Sequence, residues 1–211
     1  SIGDTLTCLA TATDADGGDP TLSYTWSDGT TGDEYIIGDE DGVDDTITCI
    51  AKATDTDGGT HTKEASLTVD NAPPDITTIA IEPDTGKVGE TLTCEVTATD
   101  PEGGEFDIAY SWSTGATTKV ITLTADEDPD DTITCTAIVT DPHDATDTDE
   151  ATATVINTDP VVDTVGITPV DASIGDTLTC LATATDADGG DPTLSYTWSD
   201  GTTGDEYIIG D

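Results

Sequence analysis

The chain has 211 residues, 46 acidic side chains against four basic ones, and a formal net charge of −42. This imbalance argues against nucleic acid as a partner, because phosphate contacts need lysine and arginine, and it makes cations the natural counterpart. No apolar run approaches the roughly 20 residues that span a bilayer, so we expect no membrane span in this segment. Threonine supplies about one residue in five and favours β-strands.

The predicted elements are clearest in residues 71–157, where apolar and polar residues alternate with a period of two. A proline-containing linker, Asn71–Pro74, opens this segment, and residues 157–160 form a second linker. Between them we expect six or seven short strands and no helix. Six of these strands are predicted at residues 75–82, 90–99, 108–112, 117–124, 133–139 and 150–156.

Internal repeats define the domain organisation. Residues 1–39 recur without change as residues 173–211, an offset of 172, and the tryptophans Trp26, Trp112 and Trp198 are each 86 positions apart. The repeating unit is therefore one domain of 86 residues, and alternate domains form a larger unit of 172. We predict a first repeat at 1–70 that lacks its first strand, a complete repeat at 71–157, and the N-terminal part of a third at 158–211.

A cysteine, a tryptophan and a second cysteine recur in the same order and spacing in these repeats. Cys94, Trp112 and Cys135 lie on inward-facing strand positions in the complete repeat. This order resembles that of an immunoglobulin-like (Ig-like) sandwich, in which a disulfide joins two sheets and an indole packs against it. The resemblance implies an all-β fold of tandem Ig-like β-sandwich domains with one inter-sheet disulfide each.

The same resemblance assigns the cysteines and tryptophans to the domain cores. The implied disulfides are Cys8 with Cys49 and Cys94 with Cys135, and the core tryptophans are Trp26, Trp112 and Trp198. Cys180 occupies the position of Cys94, so its partner would lie beyond Asp211. Disulfides in turn indicate an oxidising compartment, extracellular or at the cell surface.

Three further segments carry a second resemblance. They are Thr11-Ala-Thr-Asp-Ala-Asp-Gly-Gly, Tyr24-Thr-Trp-Ser-Asp-Gly and Ala53-Thr-Asp-Thr-Asp-Gly-Gly. They resemble the tandem Ig-like and PKD-like repeats of large bacterial surface proteins and adhesins. The resemblance covers the whole chain and implies an extracellular, cell-surface or filament-forming protein built as a rod of domains.

Acidic loops are the only repeated chemical feature. In a sandwich of this type, the loop after the second strand and the loop before the last strand lie at one end, facing the acidic loop 39–45 of the preceding domain. Hard oxygen donors suit calcium, so we hypothesise a calcium-stiffened joint between domains, and calcium is the only cofactor that the sequence suggests. The predicted ligands are Asp14, Asp16, Asp55 and Asp57 in the first repeat and Asp100, Glu102, Asp141 and Asp144 in the second.

Two simpler interpretations of the carboxylates remain open. Asp and Gly are favoured in solvated turns for backbone reasons alone, and an acidic surface also keeps a protein soluble. Catalysis has little support, because no Ser, His and Asp set is repeated and no cleft is predicted that would shift a pKa or hold a substrate. We therefore expect that the chain is not an enzyme.

The function predicted from these patterns is structural. We expect a repeat segment of the shaft of an extracellular filament or cell-surface stalk, whose partners are other copies of itself and cations. The alternative is an adhesin whose repeats directly bind a cell-surface or polysaccharide ligand. We expect a continuous array of repeats; a polymer in which a strand from one molecule completes the sandwich of the next is the competing arrangement.

Overall fold

A computed structural model describes residues 2–210 of the chain, and this part of the chain folds into β-strands without a helix. The strands are β1 (Thr5–Thr7), β2 (Thr21–Trp26), β3 (Glu34–Ile36), β4 (Thr46–Thr54), β5 (Thr60–Thr68), β6 (Asp75–Glu82), β7 (Thr85–Gly86), β8 (Thr91–Thr99), β9 (Asp107–Trp112), β10 (Val120–Thr122), β11 (Thr132–Thr140), β12 (Thr146–Val155), β13 (Val161–Thr168), β14 (Thr177–Thr185) and β15 (Glu206–Ile208).

The chain divides into two compact units. One comprises Ser1–Thr78, Thr97–Ile108 and Ile138–Asp149, and the other comprises Ile79–Val96, Ala109–Ala137 and Glu150–Asp211. The boundaries of the units fall inside strands of the central repeat.

The central repeat contains two sheets. One has the strand order β10-β8-β6, and the other has the order β7-β12-β11-β9. Leu92 and Cys94 occupy alternate positions of β8, and Ile133 and Cys135 occupy alternate positions of β11. Within each strand the two side chains therefore lie on the same face of the sheet, and all four are buried in one core. Ile81 of β6 joins the same core.

The first repeat contains a two-stranded sheet of β1 and β3 and a three-stranded sheet in the order β2-β4-β5. Its core includes Cys8, Trp26, Tyr35 and Cys49. Residues 8–13, which follow β1, are not in a strand. The third repeat contains one sheet in the order β13-β14-β15, and every residue of β13 is exposed.

The predicted fold class is confirmed: the chain is all-β, with tandem Ig-like β-sandwich domains and a disulfide in each of the first two repeats. The strands differ from the prediction in two places. The strand expected at 117–124 is shorter in the structure, where β10 covers Val120–Thr122. The last strand of the central repeat begins earlier, at Thr146, because the preceding turn closes within five residues by the Asp141 N–H donating to the Ala145 carbonyl at 3.0 Å.

Candidate functional site

The two disulfides lie at the centres of the two described cores. Cys94 of β8 is joined to Cys135 of β11, which belong to different sheets, and both sulfurs are fully buried. Cys8 is joined to Cys49 at the same sequence separation of 41. The disulfide therefore connects the sheets covalently at the point where packing also holds them together. Cys180 is a free, half-buried thiol.

The tryptophans occupy the same position in each repeat and make the same hydrogen bond. Trp112 donates its indole N–H to the Thr118 carbonyl at 2.7 Å, and Trp26 donates to the Gly32 carbonyl at 2.9 Å. Both rings are buried, so they pack in the core and are not platforms for a sugar. Trp198 makes the equivalent bond to Gly204 at 2.9 Å but lies outside the strands and is only half-buried. Residues 158–210 contain one sheet, β13-β14-β15, and no second sheet opposes it there.

Tyr35 anchors the acidic loop at one end of the first repeat. Its ring packs against Trp26 with centroids 5.2 Å apart, and its hydroxyl donates to the Asp41 carboxylate at 2.9 Å. Asp41 also accepts the Gly38 N–H at 2.9 Å. Burial of the phenol, together with the hydrogen bond to Asp41, raises the pKa of Tyr35 to about 12.

Asp141 organises the turn between β11 and β12. Its Oδ1 accepts the N–H groups of His143 at 2.8 Å and Ala145 at 2.9 Å, and its Oδ2 accepts the side-chain amide of Asn71 at 2.7 Å. The carboxylate is buried. The bond from Asn71, supported by the two backbone donors, holds the pKa of Asp141 below its ordinary value against the effect of desolvation. The linker is thus fixed to the turn by a charge-assisted hydrogen bond.

A cavity of about 180 Å³ lies next to this turn. Carboxylates from the first repeat and from the loop between β8 and β9 line it, namely Asp39, Asp41, Asp100 and Glu102. Glu102 accepts the Ala72 N–H through Oε2 at 3.2 Å, but its Oε1 is buried and has no hydrogen-bond partner. A buried carboxylate oxygen without a donor is costly, and such an oxygen is a natural ligand for a cation.

The linker before the third repeat shows a related arrangement. Asp188, at the position equivalent to Glu102, accepts the Thr158 N–H through Oδ2 at 2.5 Å. Its Oδ1 is also buried without a partner, as is the Thr158 hydroxyl. In two successive linkers, therefore, a backbone N–H donates to one oxygen of a carboxylate whose second oxygen has no hydrogen-bond partner.

The structure places the eight predicted calcium ligands at four kinds of position. Asp100 and Glu102 line the cavity, whereas Asp141 directs both of its oxygens to protein donors. Asp144 is exposed in the turn that follows, with φ of 67°. In the first repeat each loop is closed by its own carboxylate: Asp14 accepts the Asp16 N–H at 3.0 Å, and Asp55 accepts the Asp57 N–H at 2.9 Å.

Within residues 2–210, no group of three or more His, Cys, Asp or Glu side chains is placed to hold a metal ion. The same part of the chain has no helix long and apolar enough to cross a membrane.

Sequence reasoning missed Asn71 and the Tyr35–Asp41 pair. A signal for Asn71 was available, because an asparagine recurs 86 positions later as Asn157 at the start of the next linker. For Tyr35 the signal was weaker, since the equivalent residue of the central repeat is Ile121 and the tyrosine recurs as Tyr207 of the third repeat. Their roles depend on contacts made across the fold, which a period along the chain cannot show.

No protein-family model and no curated protein matches the chain. Among solved structures, it is similar to a four-domain PcdhgB3 EC1-4 fragment, with 15% identity and a TM-score of 0.37 over 100% of this chain and 63% of that one. It is also similar to human CDH23 EC21-23, with 18% identity and a TM-score of 0.40 over 99% of this chain and 89% of that one. Dscam1 isoform 6.9 gives 17% identity and a TM-score of 0.30 over 74% of this chain and 41% of that one. The chain thus spans less than two thirds of the PcdhgB3 and Dscam1 chains.

Proposed function

We propose that this chain is a structural repeat segment in the shaft of an extracellular filament or cell-surface stalk. The observation that carries the proposal is the disulfide between strands of the two opposed sheets, Cys94 with Cys135, repeated as Cys8 with Cys49. A covalent bond at this point keeps each sandwich closed under tension, and it requires an oxidising compartment outside the cytosol.

The 86-residue repeat is the unit of this shaft, with repeats at 1–70, 71–157 and 158–211. Trp26 and Trp112 each lie in the buried core of their own repeat together with its two cysteines. All three tryptophans donate the indole N–H to a carbonyl six residues further on, so the local turn is the same in every repeat. The net charge of −42 supports the proposal, because mutual repulsion between carboxylates keeps a chain of domains extended and soluble.

The linkers support a shaft because they are held at several points. Asn71 bonds Asp141, the Ala72 N–H bonds Glu102, and the Ile76 N–H bonds the Asp147 carboxylate at 2.8 Å. Proline at the two following positions, Pro73 and Pro74, restricts the backbone further. The linker thus has two hydrogen bonds and two prolines, and the start of the strand that follows it is also bonded, so this segment bends less than a free linker.

Immunogold labelling of the source cells with antibodies against this chain tests the proposal. We expect label along the length of filaments or stalks, at a regular spacing set by the two-domain unit of 172 residues. Label confined to a filament tip, or found only inside the cell, would contradict a shaft.

We further propose that calcium stiffens the joint at the cavity, with Glu102, Asp100, Asp39 and Asp41 as the oxygen donors. The unsatisfied Oε1 of Glu102 and its counterpart in Asp188 support this proposal. Since no three acidic side chains of residues 2–210 converge on one point, binding would require the carboxylates around the cavity to draw together.

Calorimetric titration of the chelator-treated chain with calcium tests this part. We expect binding together with a higher melting temperature, and both should weaken in Glu102→Gln. Asp19→Asn is the matched control, because Asp19 is exposed, lies outside the cavity and is not a predicted ligand, so its replacement should leave binding unchanged. Absence of binding by the unmodified chain would remove the calcium proposal while leaving the shaft intact.

An adhesin is the second candidate, and one cleft favours it. A cleft of about 580 Å³ is lined by Phe106, Glu105, Asp107 and Pro142. A half-exposed aromatic beside carboxylates is a suitable surface for a sugar or a cationic group. Binding of the chain to a glycan array, lost in Phe106→Ala, would favour the adhesin over a purely structural role.

A further inference from the structure

Three redox-active groups are neighbours in the core of the first repeat: a disulfide, an indole and a phenol. Cys8, Cys49, Trp26 and Tyr35 belong to one buried cluster. Trp26 lies opposite Cys49 in the pairing of β2 with β4, so the indole and the disulfide are cross-strand neighbours on the inner face. The Trp26 ring also packs against the Tyr35 ring, with centroids 5.2 Å apart. The indole is thus next to an electron acceptor, the disulfide, and next to an electron donor, the phenol.

The phenol has a proton acceptor in place. The Tyr35 hydroxyl lies 3.0 Å from Asp41 Oδ1 and 2.9 Å from Asp41 Oδ2, which is within reach of proton transfer. A phenol that loses an electron becomes a strong acid, so the electron leaves readily where a base takes the proton in the same step. The Asp41 carboxylate is held for this contact by the Gly38 N–H, which donates to its Oδ2 at 2.9 Å. Tyr35 is therefore placed to give up an electron and a proton together.

The central repeat has the same tryptophan and disulfide without this donor. Trp112 is buried in one core with Cys94 and Cys135, which form the disulfide. Ile121 occupies the position equivalent to Tyr35, and an aliphatic side chain does not give an electron to an oxidised indole. The two cores of one chain therefore differ in this donor, and their chemistry can be compared in the same sample.

We propose that light absorbed by Trp26 cleaves the Cys8–Cys49 disulfide. Tyr35 is the electron donor, and Asp41 the proton acceptor, that make this cleavage efficient. The excited indole first gives one electron to the disulfide, which leaves an indole radical cation and a disulfide radical anion. Tyr35 then gives one electron to the indole radical cation and its hydroxyl proton to Asp41. The S–S bond of the radical anion breaks into one thiolate and one thiyl radical.

Electrons and charge balance within the protein. The disulfide is reduced by one electron, Tyr35 is oxidised by one electron, Trp26 returns to its starting state, and one proton moves to Asp41. Tyr35 matters because, without it, the electron returns directly from the disulfide radical anion to the neighbouring indole. After the phenol has lost an electron and a proton, the returning electron has a longer path and the proton must come back with it. The S–S bond therefore has time to break.

Two comparisons within the chain support the role of Tyr35. The tyrosine two positions before the tryptophan, Tyr24 in the first repeat and Tyr110 in the central one, is half-buried in both, so it does not distinguish the two cores. The ring contact recurs in the third repeat, where the Trp198 and Tyr207 rings have centroids 5.0 Å apart. The inference goes beyond the proposed function, because it concerns the redox chemistry of one core and holds whether or not the chain forms a shaft.

Peptide mapping after irradiation tests the cleavage. The 211-residue chain with Cys180→Ala is irradiated, in the presence of a chelator, at the red edge of indole absorption, where tyrosine does not absorb. New thiols are then alkylated and located by mass. We expect several times more label on the cysteines of the first repeat than on those of the central repeat. Tyr35→Phe keeps the ring and should lower the first-repeat label to the central level, with an unchanged circular dichroism spectrum. Equal labelling of the two disulfides, or labelling that Tyr35→Phe does not lower, would overturn the proposal.

Flash photolysis of the same chain tests the donor and the proton acceptor. We expect the absorption of a tyrosyl radical to appear as that of the indole radical decays, to persist in Tyr24→Phe and to disappear in Tyr35→Phe. Asp41→Asn keeps a hydrogen-bond acceptor for the phenol but cannot take its proton, so the tyrosyl yield should fall several-fold. A tyrosyl signal that survives Tyr35→Phe would refute Tyr35 as the donor, and one that Asp41→Asn leaves unchanged would refute Asp41 as the acceptor.

Discussion

Asn71 donates its side-chain amide to Asp141 at 2.7 Å, across 70 positions of sequence. The bond joins the linker to the turn that the Asp141 carboxylate has already closed through His143 and Ala145. Asp55 closes the equivalent turn of the first repeat through Asp57 and Gly59. The turn is therefore common to both repeats. In the central repeat, Asn71 also connects it to the linker that precedes the repeat.

Replacing Asn71 should loosen this connection. We expect Asn71→Ala to lower the melting temperature by about 2–4 °C, because a hydrogen bond to a buried carboxylate is lost. Asn157→Ala is the matched control, since within the described part of the chain the Asn157 amide bonds the carbonyl of its neighbour Thr158 and no carboxylate, and its loss should change little. Differential scanning calorimetry of the two variants measures the effect. Equal shifts would mean that the Asn71 bond has no special role.

Acid should release the same connection. The Asn71 bond and the backbone donors lower the pKa of Asp141 below 3.8, so its stabilising effect is complete above pH 3.8 and is lost as pH falls through the folded-state pKa. Protonation of other carboxylates also relieves repulsion in this range, so the comparison must be between variants. We expect the melting temperature to fall more steeply below pH 3.8 in the unmodified chain than in Asp141→Asn. Parallel curves would contradict the assignment.

Tyr35 should give a signal at the alkaline end. Its pKa is raised to about 12 from 10.0, so its contribution to stability is complete below pH 10 and is lost as pH rises towards 12. We expect a spectrophotometric titration of tyrosinate to contain a component near pH 12 that Tyr35→Phe removes. Circular dichroism must show that both proteins stay folded over the range. Loss of a component near pH 10 instead would show that Tyr35 is not held by Asp41.

The first strand of a repeat should contribute more to the free energy of unfolding when a second sheet covers it. Ile81→Ala in the central repeat should destabilise it by about 2–5 kcal/mol, because a buried side chain is removed. The equivalent change in the third repeat, Ile167→Ala, should destabilise that repeat by less than about 1 kcal/mol, because the side chain is exposed. Amide hydrogen exchange resolved by segment measures both. Similar losses of protection in β8 and β14 would contradict this difference.

The disulfide should supply a large share of the stability of a domain with small core residues. In the loop-entropy model, a disulfide that closes a loop with a separation of 41 contributes about 4 kcal/mol. We expect Cys94→Ala with Cys135→Ala to lower the urea midpoint of the central repeat strongly. Cys180→Ala, which removes a free thiol, should leave the midpoint unchanged. An unchanged midpoint in the double variant would show that packing alone holds the sheets.

The sequence predicted much of the fold because its signals are local and repeated. The alternation around Cys94 and Cys135 requires one buried face per strand, and the 86-residue period transfers that result to each repeat. Strand β6 has the predicted bounds, Asp75–Glu82. The continuous array, the repeat boundaries and the calcium joint stay predictions.

The remaining features depend on contacts that a local pattern does not encode. Residues 8–13 show this most directly, because the same six residues form a strand in the third repeat and none in the first. Strand formation there is decided by the neighbour and not by intrinsic propensity. The docking of Asn71 and the unsatisfied oxygen of Glu102 likewise depend on where two distant loops meet.

The position of the disulfide also sets how far a repeat can be stretched. An extended polypeptide lengthens by about 3.5 Å per residue. Cys94 and Cys135 are 41 positions apart, so roughly 140 Å of contour length in the central repeat is withheld from a pulling force until the bond is reduced. Nearly half of an 86-residue repeat is withheld in this way where the disulfide is present, as in the first and central repeats. Under load such a chain can extend by only part of its contour length while the disulfides are intact. A reducing environment would allow the remaining length to extend.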